Sequence, residues 1–270
     1  MPVDITKDLS SRVQSEVGQE QVMCAPRGRT GRTEPRELMS AVEWTLIRAV
    51  AAADSSWRLC EHVGLGIVSA EDCSNYVLHR EEVGILSPRA CRKRQIEFAS
   101  GRAAARFALN EVGVEALPVL RGQKGEPHWP PGIVGSITHC YPWSVAVAIR
   151  YPNIFATGVD LETTERMRGA EISELVCGSD ELDWVRAGDL KERLTMIFSA
   201  KEAVYKAFYP LCQRYIDFKD VELTWVPAQS CFHAKFLASF GPGLPRGHVC
   251  PVYYRSYNAF TFSCVIHRLQ

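Results

Sequence analysis

No Cys-x-x-Cys pair occurs among the ten cysteines of this 270-residue chain, so neither a zinc knuckle nor a redox dithiol is suggested. The cysteines are scattered singly, as small apolar fillers in a reducing compartment are. A surplus of either charge is also missing. With 31 Lys and Arg against 31 Asp and Glu, no global field gathers nucleic acid or a membrane surface, and any charge-based function has to be local. No window approaches the ~20 apolar residues of a membrane-crossing helix. Met1 is followed by Pro-Val-Asp-Ile-Thr-Lys-Asp rather than by a basic segment and an apolar run, so a cytoplasmic protein without a secretory leader is expected.

What is present is ample apolar residue, 46% of the chain, enough to bury one large core or two small ones. Residues 1 to 37 are polar and lack sustained periodicity, which reads as a flexible or loosely docked extension. Leu38, Val42, Leu46 and Val50 then recur at helical spacing. A short strand is expected near Leu65 to Ser69. A helix over Ser87 to Val112 is expected to open on Ser87-Pro88 and to bury Ile96, Ala99, Ala103, Phe107 and Val112. Its other faces are basic: residues 89, 92, 93, 94, 102 and 106 are positive, against Glu97 alone.

Turn-rich residues 121–127 and 129–132 lead to three strands, Val134 to Thr138, Ser144 to Arg150 and Phe155 to Leu161. A helical region from Glu171 to Tyr209 is expected to break near Gly178 and Gly188 and to stop at Pro210. Strand-like runs follow at Val221 to Val226, Cys231 to Phe240, Val252 to Ser256 and Ala259 to Ile266. Helix then strands, twice over, indicates an α+β fold of two similar halves, placed at residues 38–157 and 158–270.

Gly158-Val-Asp-Leu-Glu162 carries the first chemistry. On a strand, residues two apart share a face, so Asp160 and Glu162 project together while Val159 and Leu161 turn inward. Neighbouring carboxylates repel unless a cation or donor lies between them, and the strand itself offers no Lys or Arg. Carboxylate oxygens without Cys or His at ligand spacing favour a hard ion such as Mg²⁺; a solvated strand end is the other reading. In Phe198-Ser-Ala-Lys-Glu-Ala-Val-Tyr-Lys-Ala-Phe208, Ser199 and Glu202 have the spacing of a capping box, and Glu202 and Lys206 that of an i,i+4 ion pair. The apolar surroundings leave room for a further partner of both, such as a metal-bound phosphate. His139, closing Gly135-Ser-Ile-Thr-His139, is either a neutral core histidine or, beside Arg94, Arg102 and Lys124, part of a phosphate pocket.

Taken together, these segments resemble the Sfp-type 4′-phosphopantetheinyl transferases, particularly the enterobactin-synthase component D branch. The resemblance rests on Arg94-Gln-Ile-Glu-Phe-Ala-Ser-Gly-Arg102, Lys124-Gly-Glu-Pro-His-Trp-Pro-Pro-Gly132, Gly135-Ser-Ile-Thr-His139, Gly158-Val-Asp-Leu-Glu162 and Phe198-Ser-Ala-Lys-Glu-Ala-Val-Tyr-Lys-Ala207, in that order and spacing. It covers roughly residues 65 to 267 and implies two α+β halves related by a pseudo-twofold axis, with coenzyme A in the cleft between them.

The implied reaction moves the 4′-phosphopantetheine arm of coenzyme A to a serine of an apo acyl or peptidyl carrier protein and releases adenosine 3′,5′-bisphosphate. By position, the resemblance makes Asp160, Glu162 and Glu202 the Mg²⁺ ligands, Lys206 a pyrophosphate contact, and Glu202 a candidate acceptor of the serine proton. It makes Arg94, Arg102 and His139, with neighbouring Thr138, contacts to the adenosine end and its 3′-phosphate, and sets Lys124, Gly125 and Pro127 in the nucleotide-binding loop. The branch hints at siderophore, nonribosomal peptide or polyketide assembly, and a chain carrying its own cleft is expected to be a monomer. Two rivals stand beside this reading: a Mg²⁺-dependent nucleotide pyrophosphate hydrolase, and a non-catalytic carrier-binding module.

Overall fold

The computed structural model describes residues 35–53, 61–71, 76–87, 89–114, 117–167 and 170–268. Helix α1, Pro35–Ala53, buries Leu38, Val42, Leu46 and Val50 along one stripe, as their spacing dictates. The extension expected over residues 1 to 37 lies outside the described residues up to position 34; positions 35 to 37 already belong to α1.

Two sheets share one plan. The first half runs β1 (Val63–Ser69), α2 (Arg80–Val83), α3 (Arg92–Glu111), the small hairpin β2 (Leu120–Arg121) and β3 (Pro127–His128), then β4 (Val134–Cys140) and β5 (Trp143–Ile149). Its antiparallel sheet is ordered β1-β5-β4. The second half runs β6 (Ile154–Thr163), α4 (Ala170–Val176), α5 (Ser179–Arg186), α6 (Leu190–Cys212), β7 (Val221–Val226), β8 (Cys231–Phe236), β9 (Val249–Tyr257) and β10 (Phe260–Arg268), with sheet order β6-β10-β9-β8-β7. In each half the first strand pairs with the last and a long helix crosses it, giving the expected α+β fold of two similar halves. The expected division at residues 157/158 falls inside β6.

The crossing is unusually close in both halves. A Cβ on Gly66 of β1 would collide with the Ala104 carbonyl of α3, and one on Gly158 of β6 with the Ala203 carbonyl of α6. Close approach explains a departure from expectation in α3. Its sheet-facing side is Gly101, Ala104, Ala105 and Ala108, whereas Phe107 is 44% exposed and meets Tyr76 edge-on. Bulky side chains do not fit against the strand glycines, so the positions that meet Gly64 and Gly66 are the alanines Ala108 and Ala104.

Three boundaries also differ. Ser87 does not start α3: its carbonyl and hydroxyl accept from Ala90 N and Arg89 N in a separate turn, and the helix begins at Arg92. Pro210 does not stop α6, which continues to Cys212 before Gln213 turns left-handed (φ 52°). Near the end of a helix, the missing proline N–H removes only one late hydrogen bond. Strand β8 ends at Phe236 rather than Phe240: its ladders run out at Phe236 N to His248 O and Leu237 N to Asp220 O, and Phe240 N turns instead to Leu244 O in the loop that follows.

Under β8 and β10, the rings of His248 and His267 meet edge-on at 5.0 Å, both against Phe208. Burial lowers both pKa values, and His248 Nε2 has no hydrogen-bond partner. Folded values below the unfolded value of about 6.5 mean that protons favour the unfolded chain. Stability is therefore full above that value and declines as pH falls towards the folded values. Urea midpoints taken between pH 7.5 and 5.5 should fall, and His248→Phe should flatten the decline.

Candidate active site

The halves meet where β4 lies beside β6, and side chains rather than a backbone ladder join them. Alternation sends Ser136, Thr138 and Cys140 of β4 towards β6. Ser136 Oγ accepts from Val159 N at 3.0 Å, and Thr138 Oγ1 accepts from Leu161 N at 3.0 Å. The same Thr138 hydroxyl donates to Asp160 Oδ1 at 3.2 Å. Cys140 Sγ donates to Glu162 Oε1 at 3.7 Å, and burial with that carboxylate pushes the thiol up to about 12.

Asp160 and Glu162 do share a face of β6, and both are buried. The solvated strand end is thereby set aside. Each acid has a cation from elsewhere in the chain. Lys206 Nζ of α6 donates to Asp160 Oδ1 at 2.6 Å and to Thr138 Oγ1 at 3.3 Å. Arg166, in the turn after β6, donates to Glu162 Oε1 at 2.9 Å. Lys206 thus pairs with Asp160 where an ion pair to Glu202 was expected. The capping box is likewise replaced: Ser199 sits in the interior of α6, its hydroxyl donating to Asp160 O at 3.5 Å, and Asp189 caps the helix.

Glu202 is held over the same face by the close packing of α6 on Gly158. Burial raises its pKa, Lys206 opposes the rise, and Asp160 and Glu162 add to it. Asp160 Oδ2 is buried without a hydrogen-bond partner. Among the described residues no three His, Cys, Asp or Glu side chains are gathered as a metal-holding cluster.

Around these acids run three adjoining cavities. A cationic one is lined by Arg94, Arg102, Arg121 and His139, floored by Phe98 and Ile137. Arg94 Nη1 lies 3.4 Å from His139 Nε2; because arginine only donates, Nε2 is the acceptor. Burial lowers the His139 pKa, Glu97 raises it, and Lys206 and Arg94 lower it further. The next cavity, about 250 Å³, is bounded by Lys124, Ser136, Tyr205, Lys206 and Tyr209, and it shares Gly125, Pro127 and Ile137 with the first. Gly125 adopts φ +100°, which closes the β2–β3 turn and lets Arg121 pack over it. Tyr205 separates this cavity from a smaller one that reaches Glu202, Tyr215 and Ile216.

Residues 81–149 match the family model of the 4′-phosphopantetheinyl transferase N-terminal domain, and residues 156–244 match that of the 4′-phosphopantetheinyl transferase superfamily. 4′-Phosphopantetheinyl transferase Svp of Streptomyces mobaraensis is 35% identical over 193 residues, 70% of this chain and 76% of its own. The chain belongs to the 4′-phosphopantetheinyl transferase superfamily.

This transferase is also 34% identical to 4′-phosphopantetheinyl transferase PptT of Mycobacterium tuberculosis over 159 residues, 58% of this chain and 70% of that one. Enterobactin synthase component D of Salmonella typhi is 44% identical over 122 residues, 44% of this chain and 50% of its own. The family's activity, moving the 4′-phosphopantetheine arm of coenzyme A onto carrier proteins, is this transferase's activity.

The residues singled out in the sequence fall in two groups, and of them Thr138, Asp160 and Glu162 line none of the three cavities, Thr138 and Asp160 being joined to the middle one through Lys206. Arg94, Arg102, His139, Gly125 and Pro127 line the cationic cavity; Thr138, Asp160, Glu162, Glu202 and Lys206 form the acidic centre, with Lys124 at the middle cavity. Sequence reasoning missed Arg121, Arg166 and Tyr205. Arg166 lies four residues after Glu162 in a turn, a spacing that carries a signal on a helix but not after a strand.

Proposed function

We propose that this transferase delivers the arm to a serine hydroxyl of an apo acyl or peptidyl carrier protein and releases adenosine 3′,5′-bisphosphate, with Mg²⁺ held at Asp160, Glu162 and Glu202. The observation that supports the reading best is the continuity of the cleft. It leads from the arginines and His139, past the Lys206–Asp160 pair, to Glu202 beneath Tyr205. An extended ligand with an anionic nucleotide end, a central pyrophosphate and a neutral arm suits that order of surroundings.

By chemistry the donor set suits a hard divalent ion, whose binding would draw the three acids together. All three acids supply oxygen, and Asp160 Oδ2 is an orphaned buried acceptor. When bound, Mg²⁺ neutralises charge on the pyrophosphate oxygens. The chain's own groups do the rest. Arg94, Arg102 and His139 bind the 3′-phosphate and orient the nucleotide, while the loop at Lys124 closes over it. Glu202, whose pKa burial raises, accepts the serine proton as the serine oxygen bonds to the pantetheine phosphorus. The bond from that phosphorus to the bridging oxygen breaks, and Lys206 stabilises the negative charge left on the departing phosphate. Partners of this kind tend to be acidic, which suits the basic surface of α3. The reading includes a monomer in the cytoplasm, consistent with the free thiols of the described cysteines.

Incubation with coenzyme A, Mg²⁺ and a panel of apo-carriers, followed by mass spectrometry, tests the reading. The carrier should gain one phosphopantetheine; free arm without carrier modification would indicate the hydrolase instead. Arg102→Ala should raise the KM for coenzyme A by roughly 10- to 100-fold, the worth of a charge-assisted phosphate contact. An unchanged KM would remove Arg102 from the phosphate site.

A further inference from the structure

Glu82, on the short helix α2, is completely buried and lines none of the cavities described above. Its Oε1 accepts from Val119 N at 3.0 Å, and its Oε2 accepts from His79 N at 2.9 Å. Among the described residues its hydrogen bonds come from these two backbone amides, and a carboxylate so deeply buried also calls for a counter-charge. Among the described residues Glu82 forms no ion pair; the cation whose charge it supports at longer range is Arg102, whose guanidinium leans on the backbone next to Val119. Burial, Arg94 and Arg121 all work to discharge that guanidinium, bringing it to about 10, and Glu82 opposes them.

Arg102 has few other holds. It is 7% exposed, its Nη2 donates to Leu120 O at 3.3 Å, its Nε has no partner, and its Cζ lies 4.5 Å from the centre of the Phe98 ring. Leu120 follows Val119, the residue that Glu82 ties down. One carboxylate therefore fixes both the charge behind Arg102 and the backbone on which Arg102 leans. Arg121, next along the same strand, enters the cationic cavity from that anchored segment.

We propose that Glu82 is a positioning residue of the coenzyme A site, holding Arg102 and the 119–121 segment so that the guanidinium meets the 3′-phosphate. The proposal rests on the assignment of the cationic cavity to that phosphate, made above. Glu82 does not touch the ligand; it acts from behind.

The test compares binding of coenzyme A and of 3′-dephospho-coenzyme A by calorimetry in the full chain, E82Q, R102A and the double variant, with thermal midpoints alongside. The full chain should prefer coenzyme A, and E82Q should lose about 10-fold of that preference. Because Glu82 acts through Arg102, the double variant should discriminate no worse than R102A. A folded E82Q with undiminished preference overturns the proposal, and so does an additive loss in the double variant, the mark of a merely structural role. Should E82Q not fold, E82D keeps the charge but reaches one methylene less. A few-fold loss of preference is expected there, and full preference overturns the proposal. If the full chain itself does not distinguish the two nucleotides, the assignment of the cavity falls first, and the role of Glu82 falls with it.

Discussion

Glu202→Gln is expected to lower the rate of carrier modification by roughly 10²- to 10⁴-fold, the usual contribution of a positioned proton acceptor. The amide keeps the shape of the side chain but neither takes the serine proton nor supplies an anionic oxygen to a metal. Thermal stability should not fall. Burial, Asp160 and Glu162 all disfavour the charged form of Glu202, so a neutral isostere removes repulsion from the folded state. Initial rates by mass spectrometry, read beside thermal midpoints, separate the two effects. Near-normal turnover would take Glu202 out of the reaction. Asp160→Ala should be as damaging to transfer, since Lys206 loses the carboxylate that holds it at 2.6 Å.

Lys201→Met, one residue away, should do the opposite and strike stability. Lys201 is 3% exposed, and its ammonium donates to Glu181 Oε2 at 2.7 Å, Phe218 O at 2.7 Å and Val176 O at 2.9 Å. All three donors are used, so the side chain ties α4, α5 and the segment before β7 to α6. Glu181 is buried as well, and its Oε1 accepts from Leu223 N at 2.7 Å. Methionine fills most of the volume but leaves that carboxylate without its counter-ion. Breaking a buried pair this way costs about 3–5 kcal/mol. For a chain of this size, a lowering of the thermal midpoint on the order of 10 °C follows. Adding Glu181→Gln should recover part of the loss, because the stranded charge goes; no recovery would show that the carbonyl contacts, not the ion pair, carry the effect.

Strand β6 shows what the sequence makes legible. Period-two alternation alone set Asp160 and Glu162 on one face, and the structure keeps them there. Helix α1 was equally plain from the spacing of Leu38, Val42, Leu46 and Val50. What stayed hidden depends on long-range contact. The spacing of Glu202 and Lys206 spoke for a local pair, yet Lys206 reaches Asp160 on another element, since a buried carboxylate outbids a partner nearer in sequence. Arg102 read as one of six charges on a basic helix, and only tertiary packing turned it inward against Phe98. Of the stripe expected on α3, Ala103 and Val112 are buried but Phe107 is not, because pattern counts apolar residues without asking how near the strand comes. Glu82 gave no signal at all: a lone acid on a four-residue helix acquires meaning from Val119 and Arg102, 37 and 20 positions away.

Thr138 belongs to the three-stranded sheet, yet its hydroxyl serves the opposite sheet's backbone, the Asp160 carboxylate and the Lys206 ammonium at once. On the proposed reading, recognition and chemistry are consequently not separable modules in this enzyme. A graft that retunes β4 for another nucleotide, even one that leaves every acid untouched, would reset the position from which the phosphorus is attacked.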